Sequence, residues 1–259
     1  MIVYYIWFGI ISFILGSVMG SAMTCLGDRL AEGKSWVKGR SECDVCHHEL
    51  SGRDLIPVVS YLWNHGKCRY CGAKLSSKYV WTELLSGIVF ILIFLKEGMI
   101  DATVIMQWGV CCALLALSVT DLDSYIIPDR FIVFLILWRI VFLVMDEMGG
   151  TLNRQMIVDD LLGAFIPSVG VLILSLIMDH VLKKESMGGG DIKLLFALGL
   201  YTGLAGSVLL LIAACVIGLI FVGALKQEKI PFGPSISLGW VFVILCGGPL
   251  ITWYIGLLG

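Results

Sequence analysis

Apolar runs long enough to cross a bilayer follow one another through most of this chain, and no other feature restricts its fold as strongly. A spanning helix needs about 20 mainly apolar residues. Candidates lie at roughly 2–25, 80–96, 103–120, 130–146, 157–182, 191–202, 205–225 and 236–257. The sixth is short and flanked by glycine, so it reads as a half-span or a tilted helix. Of 259 residues, 58% are hydrophobic and only 15% charged, against about 25% charged in soluble domains. The expected fold is an all-α, polytopic membrane bundle of about eight transmembrane helices. The apolar N-terminus from Ile2 has no basic start and no clear cleavage site, so it reads as a retained spanning helix.

Charge orients the bundle. Nine of the 18 Lys and Arg residues fall between residues 26 and 80. The positive-inside rule puts that segment in the cytoplasm. Arg130, Lys183 with Lys184, and Lys226 with Lys229 then also fall inside, while the outer loops hold only Lys96 and Arg154. Three parts follow: a first transmembrane helix (1–25), a cytoplasmic domain (26–80) and a membrane bundle (81–259). The net charge of −2 provides no field for nucleic acid.

The cytoplasmic segment carries Cys43-Asp44-Val45-Cys46, then 21 residues, then Cys68-Arg69-Tyr70-Cys71. Two C-x2-C knuckles at this separation match a tetrahedral structural zinc site with Cys43, Cys46, Cys68 and Cys71 as ligands. Disulfides are disfavoured in the cytoplasm. The alternatives are a redox dithiol pair or an empty site. His47, His48 and His65 lie close by, but four thiolates already fill the coordination shell. A segment of this size is marginal for a hydrophobic core, and metals commonly stabilise such domains. The other five cysteines lie in apolar stretches and read as small buried hydrophobes.

Two acidic clusters stand at the ends of apolar runs. One is Asp121-Leu122-Asp123-Ser124-Tyr125-Ile126-Ile127-Pro128-Asp129; the other is Gly188-Gly189-Gly190-Asp191 with Lys193 two residues on. A carboxylate entering a bilayer is expensive and marks a functional site by default. In the derived topology Asp121 ends a helix running inward and Asp191 begins one running outward, so the two share a depth at the cytoplasmic face. Paired carboxylates cannot both ionise easily, which suits acid–base catalysis on a peptide bond. A proton relay or a structural role is the alternative. Asp123 reads as a supporting or solvated acid and Asp129 as an N-cap or first-turn acid. Lys193 reads either as the holder of an acid or as an interfacial lysine. Gly188 and Gly190 let backbone approach closely. Ile230-Pro231-Phe232-Gly233-Pro234 reads as a rigid, non-helical entry to the last helix, placed to line the site. Gly16 and Gly20 have the small-xxx-small spacing of close helix packing.

Taken together, these motifs resemble the bacterial prepilin peptidases, or type IV leader peptidases, which are intramembrane aspartyl peptidases of the GxGD type. Gly20 through Leu30 is similar to the family's N-terminal GSFLN…RLP stretch. Cys43 to Cys71 resembles its four-cysteine domain, Asp54 to Leu62 its DxIPxLSxL segment, and Glu83-Leu84-Leu85 its VELL. Asp121 to Asp129, Gly188 to Leu194 and Ile230 to Gly239 resemble its DxDxxxLPD, GxGDxKL and IPFGPxLxxG motifs. Thr24 and Asp28 depart from the family's usual Asn and Tyr.

The resemblance implies that Asp121 and Asp191 are the catalytic pair, with water as the nucleophile. It implies type IV prepilin or pseudopilin substrates, cut at a basic leader, in the bacterial cytoplasmic membrane. It also implies N-methylation of the new terminus with S-adenosylmethionine, although no glycine-rich methyl-donor motif can be read. Two rivals from other classes are a proton-coupled transporter using both aspartates as relays and a membrane thiol oxidoreductase using the C-x2-C pairs. The first needs further ionisable groups deep in the bundle, where the sequence offers Arg139. The second needs its cysteines near the oxidising face.

Overall fold

The structure is a computed structural model of the full chain, and it describes residues 1–35, 41–43, 45–183, 187–225 and 231–258. Lys38, Arg40, Asp44, Lys184, Lys226, Lys229 and Ile230, used above for orientation or motif, lie outside the described residues. The described residues form helices and two isolated bridges, and they divide into two compact units, Met1–Asp123 and Ser124–Gly259.

In the first unit, α1 (Ile2–Ala31) packs along α3 (Ser77–Glu97), and α4 (Ala102–Ser124) follows. Small residues make the α1–α3 contact possible. A Cβ on Gly16 would lie 2.8 Å from Phe90, and one on Gly20 would lie 2.9 Å from the Ser86 Cβ. This is the close packing the small-xxx-small spacing predicts; without a hydrophobic drive between helices in lipid, close contact supplies the attraction. Thr24 and Thr82 add a 2.8 Å hydrogen bond between the two helices. α1 continues six residues past the expected end of the span and α3 starts at Ser77, where the Ser76 hydroxyl caps the Lys78 N–H. Between them lie the four-cysteine segment and α2 (Val59–Trp63).

The second unit holds α5 (Asp129–Met148), α6 (Arg154–Leu182), α7 (Gly189–Leu225) and α8 (Gly233–Leu258). α7 packs on α6, α8 and α5. The expected sixth and seventh spans are the two halves of α7, which meet at Gly203 (φ 64°, ψ −177°). That conformation is essentially restricted to glycine. The break is stabilised from α6, where the Asp159 carboxylate accepts the Leu204 N–H at 3.3 Å. A side chain at Gly203 would run into the same carboxylate.

Among the described residues, six helices are long and apolar enough to cross a membrane: α1, α3, α4, α6, α7 and α8. The chain is therefore an all-α, multi-pass membrane protein. Each expected span has a helix, with the sixth and seventh supplied by α7 on either side of Gly203, while the five-residue α2 is too short to span. α5 covers the expected span at 130–146 but carries Asp129, Arg130, Arg139, Asp146 and Glu147.

Candidate active site

The two cysteine pairs form matching turns. The Cys43 N–H donates to the His48 carbonyl at 3.1 Å, and the His47 N–H donates to the Cys43 carbonyl at 2.9 Å. The second pair repeats this, with Cys68 to Ala73 at 2.7 Å and Gly72 to Cys68 at 2.9 Å. Bridges Glu42–Glu49 and Lys67–Lys74 close both turns. Each turn needs a left-handed residue after its second cysteine. Gly72 fills that place at φ 72°, and His47 does so at φ 54° in the first turn. The motif is therefore a duplicated knuckle, a repeat too short for composition to show.

The four Sγ atoms lie within 4.8 Å of one another, with Cys43 and Cys71 at 3.9 Å. Zinc–sulfur bonds of about 2.3 Å in a tetrahedron place sulfurs about 3.8 Å apart. The donor set fits zinc, and four thiolates leave no open position on it. The backbone N–H groups of Cys46 and Val45 hold the Cys43 thiol down at about 7. Against the Ala73 N–H, which lowers it, burial and the neighbouring thiols push Cys71 up to about 11.

Asp121 lies near the end of α4 and is buried. Thr120 beside it donates from its hydroxyl to the Gly27 carbonyl at 3.2 Å, fixing this turn of α4 against α1. Asp123, two residues on towards the helix end, is partly exposed and held in an ion pair. Lys78 Nζ lies 2.7 Å from Asp123 Oδ2 and 2.7 Å from Asp28 Oδ1. Tyr79 donates to the other Asp28 oxygen at 3.1 Å. One ammonium thus joins the ends of α1, α3 and α4. Lys78 escaped notice in the sequence, where it counted only towards the charge of its segment. Its signal was the acid at Asp28, the position that departs from the family pattern.

Asp191 lies in the first turn of α7 and is half-buried. Its N–H donates to the Gly188 carbonyl at 3.1 Å, and a Cβ on Gly188 would stand 3.2 Å from Asp191 Oδ2. The carboxylate therefore folds back over Gly188. At Gly190 a Cβ would sit 3.0 Å from the Ile127 Cβ, so the glycine admits the Ile127-Pro128 turn against the start of α7. Lys193 donates to Asp129 Oδ1 at 2.7 Å, pairing the first turns of α7 and α5. Asp129 is a first-turn acid, with Pro128 at the cap position. Both partners are more than half exposed, and such pairs contribute at most about 1 kcal/mol.

The Pro-rich entry is less irregular than expected. α8 already begins at Gly233 and takes Pro234 into its first turn, where a missing N–H costs nothing. Phe232 lies against Gly218 of α7, where a Cβ would come within 3.2 Å of its ring.

A buried ion pair that the sequence reading missed links Arg139 of α5 to Asp160 of α6. The Arg139 guanidinium also lies 5.7 Å from the Tyr201 ring centroid, and the Tyr201 hydroxyl donates to the Leu135 carbonyl. The signal available was the Asp159-Asp160 pair near the start of an apolar run.

Family comparisons cover both parts of the chain. Residues 14–97 match the bacterial peptidase A24 N-terminal domain, and residues 108–223 match the type IV leader peptidase family. The prepilin leader peptidase/N-methyltransferase of Bacillus subtilis is 29% identical over 257 residues, covering 95% of this chain and 97% of the relative. That of Aeromonas hydrophila is 33% identical over 230 residues, covering 83% and 74%. That of Vibrio cholerae is 29% identical over 252 residues, covering 93% and 96%. No solved structure matches the chain. A four-cysteine segment, a helix that opens on a GGGD turn, and relatives matched over most of their length lead to one conclusion: the chain belongs to the type IV leader peptidase family, a family of enzymes.

Proposed function

We propose that the chain is an intramembrane aspartyl endopeptidase that removes the basic leader from type IV prepilins or pseudopilins. The observation that carries the reading is that Asp121 and Asp191, the acids of two family motifs, both fall inside the matched stretch 108–223. In this reading both acids and the four-cysteine domain face the cytoplasm across a bacterial inner membrane, and the domains are those expected: 1–25, 26–80 and 81–259.

Water is the nucleophile. The charged member of the pair takes a proton from water as its oxygen bonds to the scissile carbonyl carbon. The protonated member donates to the carbonyl oxygen. When the resulting diol collapses, the C–N bond breaks, the acid that took the proton from water gives it to the leaving amine, and a diol hydroxyl returns its proton to the other acid, which restores the pair. An acid pair that shares one proton acts as a unit rather than as two independent groups. Gly188 and Gly190 keep the backbone close around Asp191, while Lys193 and Asp123 support the two acids through their ion pairs.

Zinc, held by Cys43, Cys46, Cys68 and Cys71, orders the segment that receives the leader and takes no part in bond breaking. The relatives' names add N-methyltransferase activity, and we extend it to this chain. S-adenosylmethionine would supply the methyl group for the new terminal amine, and no residue here is assigned to hold it.

The test is to incubate the purified protein with a prepilin-like peptide and follow products by mass spectrometry, with and without S-adenosylmethionine. The expected result is one cut ahead of the apolar segment, with one added methyl group only when the donor is present. An intact peptide, with the protein folded, would contradict the reading.

A further inference from the structure

α2 wears its amphipathicity inside out. Val59, Leu62 and Trp63 share one face at i, i+3 and i+4 spacing, and all three are exposed, Trp63 to 80% and Leu62 to 64%. Leu55 and Ile56, just before the helix, are exposed as well. The more polar Ser60 and Tyr61 are the residues half-covered by protein. A helix on the surface of a water-soluble domain turns its apolar stripe inward.

The depth of this segment comes from Val58. Its N–H donates to Glu83 Oε2 at 2.7 Å. Glu83 is buried, five residues beyond Lys78 on α3. Five residues of helix are about 7.5 Å, so Val58 is fixed deeper along α3 than Lys78, which takes part in the Asp28–Lys78–Asp123 charge layer. Trp81, Leu85 and Ile88 of the same helix are exposed at this level and beyond, as expected for its lipid-facing side. Val58 is also held at φ 62°, a strained conformation for a β-branched residue. Such strain persists only where surrounding structure imposes it, and the hydrogen bond from the Val58 N–H to the Glu83 carboxylate does so here.

We propose that Leu55–Trp63 is an interfacial element. Its apolar face, led by Trp63 and Leu62, inserts into the boundary between phospholipid headgroups and acyl chains, with Glu83 as its anchor. Tryptophan favours that boundary because one end of its ring system is apolar and the other is wet. The four-cysteine domain is then tied to the bilayer at a point between its two knuckles. The inference rests on the chain being a membrane protein and not on the peptidase reading.

The test uses the full chain in phosphatidylcholine–phosphatidylglycerol vesicles. The protein has eight tryptophans, so the Trp63 signal is taken as the difference between the native protein and Trp63→Phe, a variant at an exposed position. The expected difference spectrum is blue-shifted. It loses more than half its intensity when bromines sit high on the lipid chains, and iodide leaves it unchanged. A companion variant, Trp63→Phe with Leu62→Trp, moves the reporter one position and is expected to give the same profile. Emission at the wavelength of water-exposed tryptophan, quenched by iodide and not by bromolipid, would overturn the proposal. So would a blue shift that needs an added prepilin-like apolar helix, which would make the occupant a protein.

Discussion

Lys78 stands 2.7 Å from Asp123, two residues past the buried Asp121 on α4, and the same ammonium reaches Asp28 of α1 at 2.7 Å. Removing it leaves two acids facing each other without a cation. The three side chains are 22 to 42% exposed, so water screens part of the cost, and Lys78→Met is expected to lose about 1 kcal/mol. The check is thermal unfolding in detergent, where Tm should fall by about 2–4 °C. Lys78→Arg should recover most of the loss, and Asp28→Asn should soften the effect of Lys78→Met because it removes one of the stranded charges.

Arg139 and Asp160 are both buried. Breaking such a pair from one side leaves an uncompensated charge, at a cost of about 3–5 kcal/mol. Arg139→Leu is expected to lower stability by that order. The double variant Arg139→Leu with Asp160→Leu should be closer to the native protein than either single variant. Unfolding curves of all four proteins check the cycle, and equal, additive losses would rule out coupling.

Gly203→Ala is expected to destabilise the second unit. It forces a conformation that costs about 1–3 kcal/mol for a residue with a side chain, and its methyl group meets the Asp159 carboxylate. Asp159→Ala on the same background should relieve the clash but not the backbone strain. Detergent-resistant yield and Tm of the two variants separate the contributions.

Metal content tests the four-cysteine site. Elemental analysis of the purified protein should give about one zinc per chain, the stoichiometry of a closed four-thiolate site. Cys68→Ser should lose the metal and order around residues 41–76, because binding energy in such a site is folding energy. Cys111→Ser, in a buried stretch of α4, should keep both.

Local signals explain what could be read from the chain. Apolar length gave the spans, C-x2-C spacing gave the four-cysteine cluster, and Gly16 with Gly20 gave the α1–α3 contact. The partners of the charged groups were hidden, because they are chosen by packing between segments distant in the chain. Lys78 and Asp28 are 50 residues apart, Glu83 and Val58 are 25 apart, and Arg139 and Asp160 are 21 apart. No periodicity records such pairings. Counting Arg139 as a lone deep charge missed Asp160 for the same reason. The proton-relay rival requires further deep ionisable groups; of the buried ones described, Asp160 is paired with Arg139 and Glu83 accepts the Val58 N–H.

The central claim is that Asp121 and Asp191 together cleave the peptide bond. The most direct measurement is the cleavage rate of a prepilin-like peptide by Asp121→Asn, Asp191→Asn and Asp123→Asn, each shown to keep its helix content and zinc. An acid–base pair predicts that each of the first two loses at least about a hundredfold in kcat/KM, while the third stays within about tenfold of the native enzyme. Native-like cleavage by Asp191→Asn would contradict the mechanism and leave the GGGD turn as a packing feature of α7.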